Sequence, residues 1–140
     1  MRIVELKDVM KSIGFEEVKA DRECCYWEKR VEYESELRED WEDNDCEVLE
    51  VYGFCEELFD DGGEGELTDD SNFEIAQIRV KHSDIVDDYG VTINNCKRLI
   101  SVIEGVRNQL IERGVKFSKE CSFDSCTSNM AIYDKYNIVI

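Results

Sequence analysis

The residues best suited to acid–base or nucleophilic chemistry lie together at His82, Ser83 and Asp84. His82 is the single histidine among the 140 residues, and histidine is the side chain that most readily serves as a general base near neutral pH. A catalytic triad must converge in space, and adjacency in the sequence gives no evidence of convergence. Glu17 and Lys19 form an ExK triplet of the sort found in metal-dependent nucleases, but such triplets arise often by chance. We therefore interpret His82 as a partly exposed strand-end residue, and we expect neither catalytic residues nor enzymatic activity.

The seven cysteines are the next candidates, because thiolates bind zinc and form disulfides. Their odd number and irregular spacing, with Cys24 and Cys25 adjacent, indicate reduced thiols packed as small apolar side chains. Zinc sites usually contain a CxxC pair, and none occurs here. Cys121 and Cys126 are the best-spaced pair, and together with Cys24, Cys25 or His82 they leave a zinc-binding protein as one alternative. We expect no metal and no cofactor.

The acidic, glycine-rich stretch DDGGEGELTDDS, residues 60–71, superficially resembles a calcium-binding loop. Counted from Asp60, however, Gly62 and Ser71 occupy the positions where an EF-hand needs a side-chain oxygen and a bidentate glutamate. The stretch also lacks the lysine of a phosphate-binding loop and would confront a phosphate with further anions. We interpret it as a turn or loop tip.

Two segments have the periodicity of amphipathic helices. The segment VELKDVMKSIG places its apolar residues along one helical stripe, and Gly14 is suited to end a helix. Residues 95–113 show the clearest pattern, an apolar stripe at i, i+4, i+7 and i+11 formed by Leu99, Ile103, Val106 and Leu110.

The remaining apolar segments have strand character. Residues 23–34 alternate most clearly, with Cys25, Trp27, Val31 and Tyr33 on one face. The other predicted strands are 46–54, 72–82, 115–123 and, after a turn, 129–140. We expect a single α+β domain over residues 1–140, with an antiparallel or mixed sheet of about five strands packed against one long helix (95–113) and a short N-terminal helix.

Composition fits a folded domain, since 42% of the residues are apolar although the net charge is −17. The longest apolar runs are far shorter than the roughly 18 residues of a membrane helix. The N-terminal residues carry acids where a signal peptide needs an apolar core. We expect no membrane partner and a cytoplasmic protein, in the host cytoplasm if a virus encodes it.

The negative charge is concentrated in one acidic segment, residues 16–74, which holds 24 acidic and five basic side chains. Each flanking segment carries a net charge of +1. Because self-repulsion within one region destabilises the fold, such concentration favours a functional acidic face. The alternative is a solvated surface that aids solubility.

Two features of the segment suggest a binding surface. In a strand, residues at i and i+2 share a face about 6.6 Å apart, so a row of carboxylates interrupted by Arg30 is expected from Glu28, Glu32, Glu34 and Glu36. Trp41 is surrounded by further acids, and an indole within a charged rim is typical of an interface anchor. The other acids of this candidate site are Glu39, Asp40, Glu42, Asp43 and Asp45. The alternative is that Trp41 and Leu37 bury one side of a short helix.

These features predict a non-catalytic acidic inhibitor that occupies the basic, nucleic-acid-binding surface of a partner protein, by mimicry of nucleic acid and without binding nucleic acid itself. In general character the chain is similar to phage-encoded anti-CRISPR and anti-restriction proteins and to immunity proteins against nuclease toxins, a likeness of type carried by no motif. The alternative is a structural or assembly protein whose acidic face serves solubility. The oligomeric state is left open.

Overall fold

The structure of the chain is a computed structural model that describes residues 1–35, 37, 39–60, 64–89, 92–125 and 138–139. For residues 59, 60, 89, 119–125, 138 and 139 it describes the backbone alone.

Helices and strands follow one another in the order α, β, β, β, α, β, α, α, β, β. Within these described residues the helices are α1 (Ile3–Ser12), α2 (Glu56–Asp60), α3 (Asp84–Tyr89) and α4 (Ile93–Glu112). The strands of the same part of the chain are β1 (Glu16–Ala20), β2 (Cys24–Tyr33), β3 (Asp45–Phe54), β4 (Glu74–Ser83), β5 (Phe117–Ser125) and β6 (Ile138–Val139).

All the described strands form one mixed sheet in sequence order. Strands β1 to β4 are an antiparallel meander, β5 lies parallel to β4, and β6 lies antiparallel to β5. Because two parallel neighbours cannot be joined by a hairpin, the chain crosses over between β4 and β5, and α4 forms most of that crossover.

The hydrophobic core lies between one face of the sheet and the helices α1 and α4. Trp27 and Leu49 on the sheet pack in the same cluster as Leu6 of α1 and Leu99 of α4. Trp27 is 1% exposed, and its ring meets Phe73 edge to face with centroids 5.8 Å apart. We call this side of the sheet the core face, and the opposite side the open face.

Local sequence explains where α4 begins and where α1 and α4 end. Thr92 caps α4, since its hydroxyl accepts the backbone N–H of Asn95 at 3.1 Å. Gly14 and Gly114 follow α1 and α4 with φ values of +90° and +74°, a conformation that glycine adopts without steric penalty. Among the described residues, no helix has both the length and the apolar character required to cross a membrane.

The α+β prediction is confirmed, including the long helix, the short N-terminal helix and a mixed sheet. Five strands have at least five residues, and β6 adds a sixth of two residues. Three short elements were not predicted, namely β1, α2 and α3. Most of the last predicted strand, 129–140, lies outside the described residues, as does the centre of the predicted loop tip at 61–63.

Candidate functional site: an acidic surface at one end of the sheet

The acidic loop that joins β2 to β3, described at residues 34, 35, 37 and 39–44, emerges from the end of the sheet. The last rung of the β2–β3 ladder pairs Tyr33 with Asp45, so this rung forms the base of the loop. Within the loop, the backbone N–H of Glu39 donates to Glu42 Oε2 at 2.9 Å, and the N–H of Glu42 donates to the Glu39 carbonyl at 3.0 Å. These two bonds close a turn that holds the neighbouring acids together.

Helix α3 lies beside this loop because of the register between β3 and β4. Glu47 near the start of β3 pairs with Ser83 at the end of β4, and α3 begins at the next residue, Asp84. The backbone N–H of Cys46 donates to Asp84 Oδ2 at 2.9 Å. Three carboxylates of α3, from Asp84, Asp87 and Asp88, are thereby added to those of the loop.

We define the acidic surface as Trp41 together with the carboxylates of Glu32, Glu34, Glu39, Asp40, Glu42, Asp43, Asp84, Asp87 and Asp88. Its two halves are continuous, because Asp84 and Asp88 line the same open depression of about 500 Å³ as Trp41, Glu42 and Asp43. Trp41 is 83% exposed, the highest exposure among the large apolar side chains that the structure describes. Leu37 is also exposed, so these two residues do not form the buried helix face that was the alternative.

The structure brings together most of the predicted site residues but not all. Glu34, Glu39, Asp40, Trp41, Glu42 and Asp43 meet in the loop, and Glu32 is exposed near the end of β2. Glu28 lies farther along the open face and is paired with Lys81 of β4. Asp45 is fully buried, because its position places it on the core face, and it is therefore no part of the surface. Glu36 lies outside the described residues.

His82 lies between two carboxylates of α3. Its Nε2 is 2.7 Å from Asp84 Oδ1, and its Nδ1 is 2.9 Å from Asp87 Oδ2. Each ring nitrogen thus lies within hydrogen-bond distance of a carboxylate oxygen. Ser83 is buried and occupies the core-face position of the β3–β4 ladder, whereas His82 occupies the open-face position. His82 and Ser83 consequently diverge, and no nucleophile–base pair forms between them.

The described cysteines are buried thiols. Cys24, Cys25, Cys46, Cys55 and Cys96 are all free and buried. Burial raises the pKa of the Cys25 thiol to about 12, with a smaller contribution from the charge of Glu17. A thiol with so high a pKa is a poor nucleophile and a poor metal ligand at neutral pH. Among the described side chains there is no group of three histidine, cysteine or acidic residues placed to hold a metal ion, while Cys121 and Cys126 of the zinc alternative lie outside them.

A polar cluster is buried on the core face directly beneath the loop. Arg98 of α4 donates from Nη2 to Glu47 Oε1 at 2.5 Å, and its guanidinium lies 3.2 Å from the centroid of the Tyr33 ring. Glu47 is 1% exposed. Burial raises the pKa of Glu47 to about 7, although the charge of Arg98 and the nearby Ser83 act in the opposite direction.

Comparison of the chain with protein-family models, with curated protein sequences and with solved structures finds no match.

Proposed function

We propose that this protein is a non-catalytic binding protein whose acidic surface occupies the basic, nucleic-acid-binding surface of a partner protein. The observation that carries the proposal is an indole that is 83% exposed among carboxylates of two separate elements. A tryptophan left in water has a free-energy penalty that docking removes, and tryptophan is among the residues that dominate binding energy at interfaces.

The chemistry of the acidic surface selects a cationic partner. Asp40, Glu42 and Asp43 flank Trp41 in the sequence, and Asp84 and Asp88 border the same depression. Carboxylates accept the N–H groups of lysine and arginine, and an indole face attracts the same cations. A net charge of −17 would also accelerate the approach of a basic partner, by about 10 to 10³ fold at low salt.

We expect competition with nucleic acid because proteins that bind nucleic acid have surfaces rich in lysine and arginine. Proteins that bind duplex DNA line their grooves with lysine and arginine to neutralise one negative charge per roughly 1.7 Å of helix axis. A rigid protein surface dense in carboxylates can occupy such a groove and exclude the nucleic acid. We place this activity in the cytoplasm, in the group of anti-defence inhibitors and nuclease immunity proteins.

A structural or assembly role is the second candidate, favoured by the aromatic side chains on the open face. Tyr26 and Tyr52 have ring centroids 4.9 Å apart, and Tyr52 and Phe54 are stacked at 6.5 Å. A partner that docks on these rings would bind mainly through apolar contacts. Its affinity would respond little to salt, whereas binding through the acidic surface would weaken as salt rises.

The test compares three baits in affinity capture from cell lysate at low and high salt. The surface variant carries Glu39→Gln, Asp40→Asn, Glu42→Gln and Asp43→Asn. The control variant carries Glu56→Gln, Glu57→Gln, Glu104→Gln and Glu112→Gln, at exposed positions outside the acidic surface. Each variant removes four negative charges, so the two variants have the same net charge. The comparison therefore separates the effect of charges on the acidic surface from the effect of net charge.

We expect the wild type and the control variant to retain a partner that duplex DNA or RNA displaces, and the surface variant to lose it. Four contacts at about 1 kcal/mol each correspond to a loss of roughly 10²–10³ fold in affinity. Equal retention of the partner by the surface variant would refute the proposal. Retention that is insensitive to salt and to nucleic acid would support the assembly role instead.

A further inference from the structure

Arg98 links the two strands that carry the acidic loop. It reaches from α4 to Glu47 on β3 through the 2.5 Å contact, and it covers the ring of Tyr33, the last residue of β2. Tyr33 itself pairs with Asp45 across the base of the loop. A single cation therefore contacts both sides of the hairpin at the point where the loop begins.

The surroundings of Glu47 do not solvate its charge fully. Glu47 and Ser83 are 1% and 0% exposed, respectively. Glu47 Oε2 and the hydroxyls of Ser83 and Tyr33 are buried close together, and none of the three makes a hydrogen bond of good geometry within the described part of the chain. Asp45, which is fully buried, adds a second carboxyl group to the same pocket. An ionised Glu47 thus has one strong partner for one of its two oxygens.

We propose that Glu47, with Arg98, is a proton-responsive anchor of the acidic surface, and that docking of a cationic partner is accompanied by loss of the Glu47 proton. This inference rests on the proposed function, since it names the regulation of the same surface. Cations brought onto the loop stabilise the ionised form of a carboxyl group beneath it. By linkage, ionisation of that group must strengthen the binding of the cations to the same extent.

The groups that face Glu47 come from every element packed around it. They are Tyr33 of β2, Asp45 of β3, Ser83 of β4 and Arg98 of α4. Burial raises the pKa of Glu47 and Asp45 raises it further, while Arg98 and Ser83 lower it. The balance leaves the pKa at about 7, so a modest change in nearby charge alters the ionised fraction at physiological pH. His82 lies on the opposite face of the sheet, bound to Asp84 and Asp87.

The first test needs no partner, and so it separates this inference from the proposed function. The side-chain carboxyl ¹³C resonance of Glu47 is assigned with Glu47→Gln and followed by NMR as the pH is raised in the free protein. All samples carry His82→Gln, because histidine side chains in general titrate in the same range. We expect a midpoint near 7 in this background, a lower midpoint when the surface variant is added, and little change with the control variant.

Two outcomes of this titration would overturn the inference. A midpoint near the ordinary glutamate pKa of 4.5 would mean that Glu47 stays ionised throughout the physiological range. A midpoint that responds equally to the surface and control variants would mean that Glu47 senses only the total charge of the protein.

The second test measures the reciprocal effect, with poly-L-lysine as the cationic probe. A lowering of the Glu47 midpoint from about 7 to about 6.5 on binding corresponds to about 2.5-fold tighter binding at pH 8 than at pH 6. We expect this increase in the His82→Gln background and its loss when Glu47→Gln is added. An increase that persists in the double variant would contradict the inference. A probe that binds with no pH dependence, while the titration midpoint does respond to the loop, would contradict proton release on docking.

Discussion

Glu47 carries a carboxyl group on the buried core face of β3, and this position changes the pH behaviour of the molecule. The strand pattern of β3 puts Glu47 on the core face beside Asp45, while the neighbouring Cys46 and Val48 lie on the open face. A surface glutamate would be ionised throughout the physiological range, but burial raises the pKa of this one to about 7. The stability of the fold must therefore depend on pH through this side chain.

The direction in which stability changes with pH follows from the protonation of Glu47 in the folded and the unfolded chain. Below pH 4.5, the ordinary glutamate value, Glu47 is protonated in both the folded and the unfolded chain. Between 4.5 and about 7 the unfolded chain ionises first, so the free energy of unfolding falls as the pH rises. The whole interval corresponds to about 3 kcal/mol.

We predict that Glu47→Gln removes the fall in the free energy of unfolding between pH 4.5 and about 7. Chemical denaturation at pH 5 and pH 8 should show the stability of the variant relative to wild type improving by up to about 3 kcal/mol at the higher pH. Arg98 tolerates the change because its side chain is 30% exposed and reaches water. Glu104→Gln, at an exposed position of α4, serves as the control and should show no such difference. A difference between Glu47→Gln and wild type that is equal at both pH values would contradict the assignment.

At the scale of elements, the close packing of β3 against the segment that leads into β4 depends on a glycine. A Cβ atom at Gly53 would lie 2.5 Å from Cε1 of Phe73 and 2.9 Å from the carbonyl oxygen of Glu74. Phe73 is itself 1% exposed and packs against Trp27, so it has no room to retreat. A side chain at position 53 would thus disturb the sheet and the core together.

We predict opposite effects for two glycine-to-alanine substitutions. Gly53→Ala should destabilise the protein by about 1–3 kcal/mol, as overpacking of a core does. Gly105→Ala should stabilise it by up to about 1 kcal/mol, because Gly105 lies in the middle of α4 and an added Cβ meets no atom within 4 Å. Thermal or chemical denaturation checks both. Destabilisation of similar size at the two positions would show that the contact with Phe73 is not the cause.

The helices and strands that were predicted from the sequence are those in which apolar residues recur at the spacing of a helix face or a strand face. Strand β2 and helix α4 each direct one apolar face toward the core, so the apolar pattern reveals them. All five side chains of β1 are exposed, which leaves no alternation to detect. Helices α2 and α3 have five and six residues, too few for a helical period to be recognised, and their sequences are strongly acidic.

Only the residues of the candidate site that are close to one another in sequence could be predicted together. The loop residues around Trp41 are adjacent in sequence and remain adjacent in the fold. Asp84, Asp87 and Asp88 join them through the register between β3 and β4, a pairing between distant segments that periodicity does not specify. The prediction that Asp45 belongs to the surface was wrong. Acidic residues continue from the loop into β3, so the sequence does not show where the loop ends and the buried face of β3 begins.

At the scale of the whole molecule, the fold sorts the described carboxylates between Glu28 and Glu50 into three groups. Those in the middle of the open face are neutralised by β4: Arg79 pairs with Glu50 at 2.6 Å, and Lys81 pairs with Glu28 and Glu50. The second group, Asp45 and Glu47, is buried near Arg98. The third group, Glu32, Glu34, Glu39, Asp40, Glu42 and Asp43, belongs to the acidic surface. The cations of β4 thus pair with carboxylates of the open face outside that surface.

The central claim, that this surface is the docking surface, is tested most directly by the two tryptophans in a complex with the captured partner. With 5-fluorotryptophan incorporated in this protein alone, ¹⁹F NMR reports on Trp41, which is 83% exposed, and on Trp27, which is 1% exposed. On saturation with the partner, we predict that the Trp41 resonance shifts and loses its sensitivity to exchange of H₂O for D₂O, while Trp27 remains unchanged. A saturated complex in which Trp41 keeps the shift and solvent sensitivity of the free protein would contradict the claim.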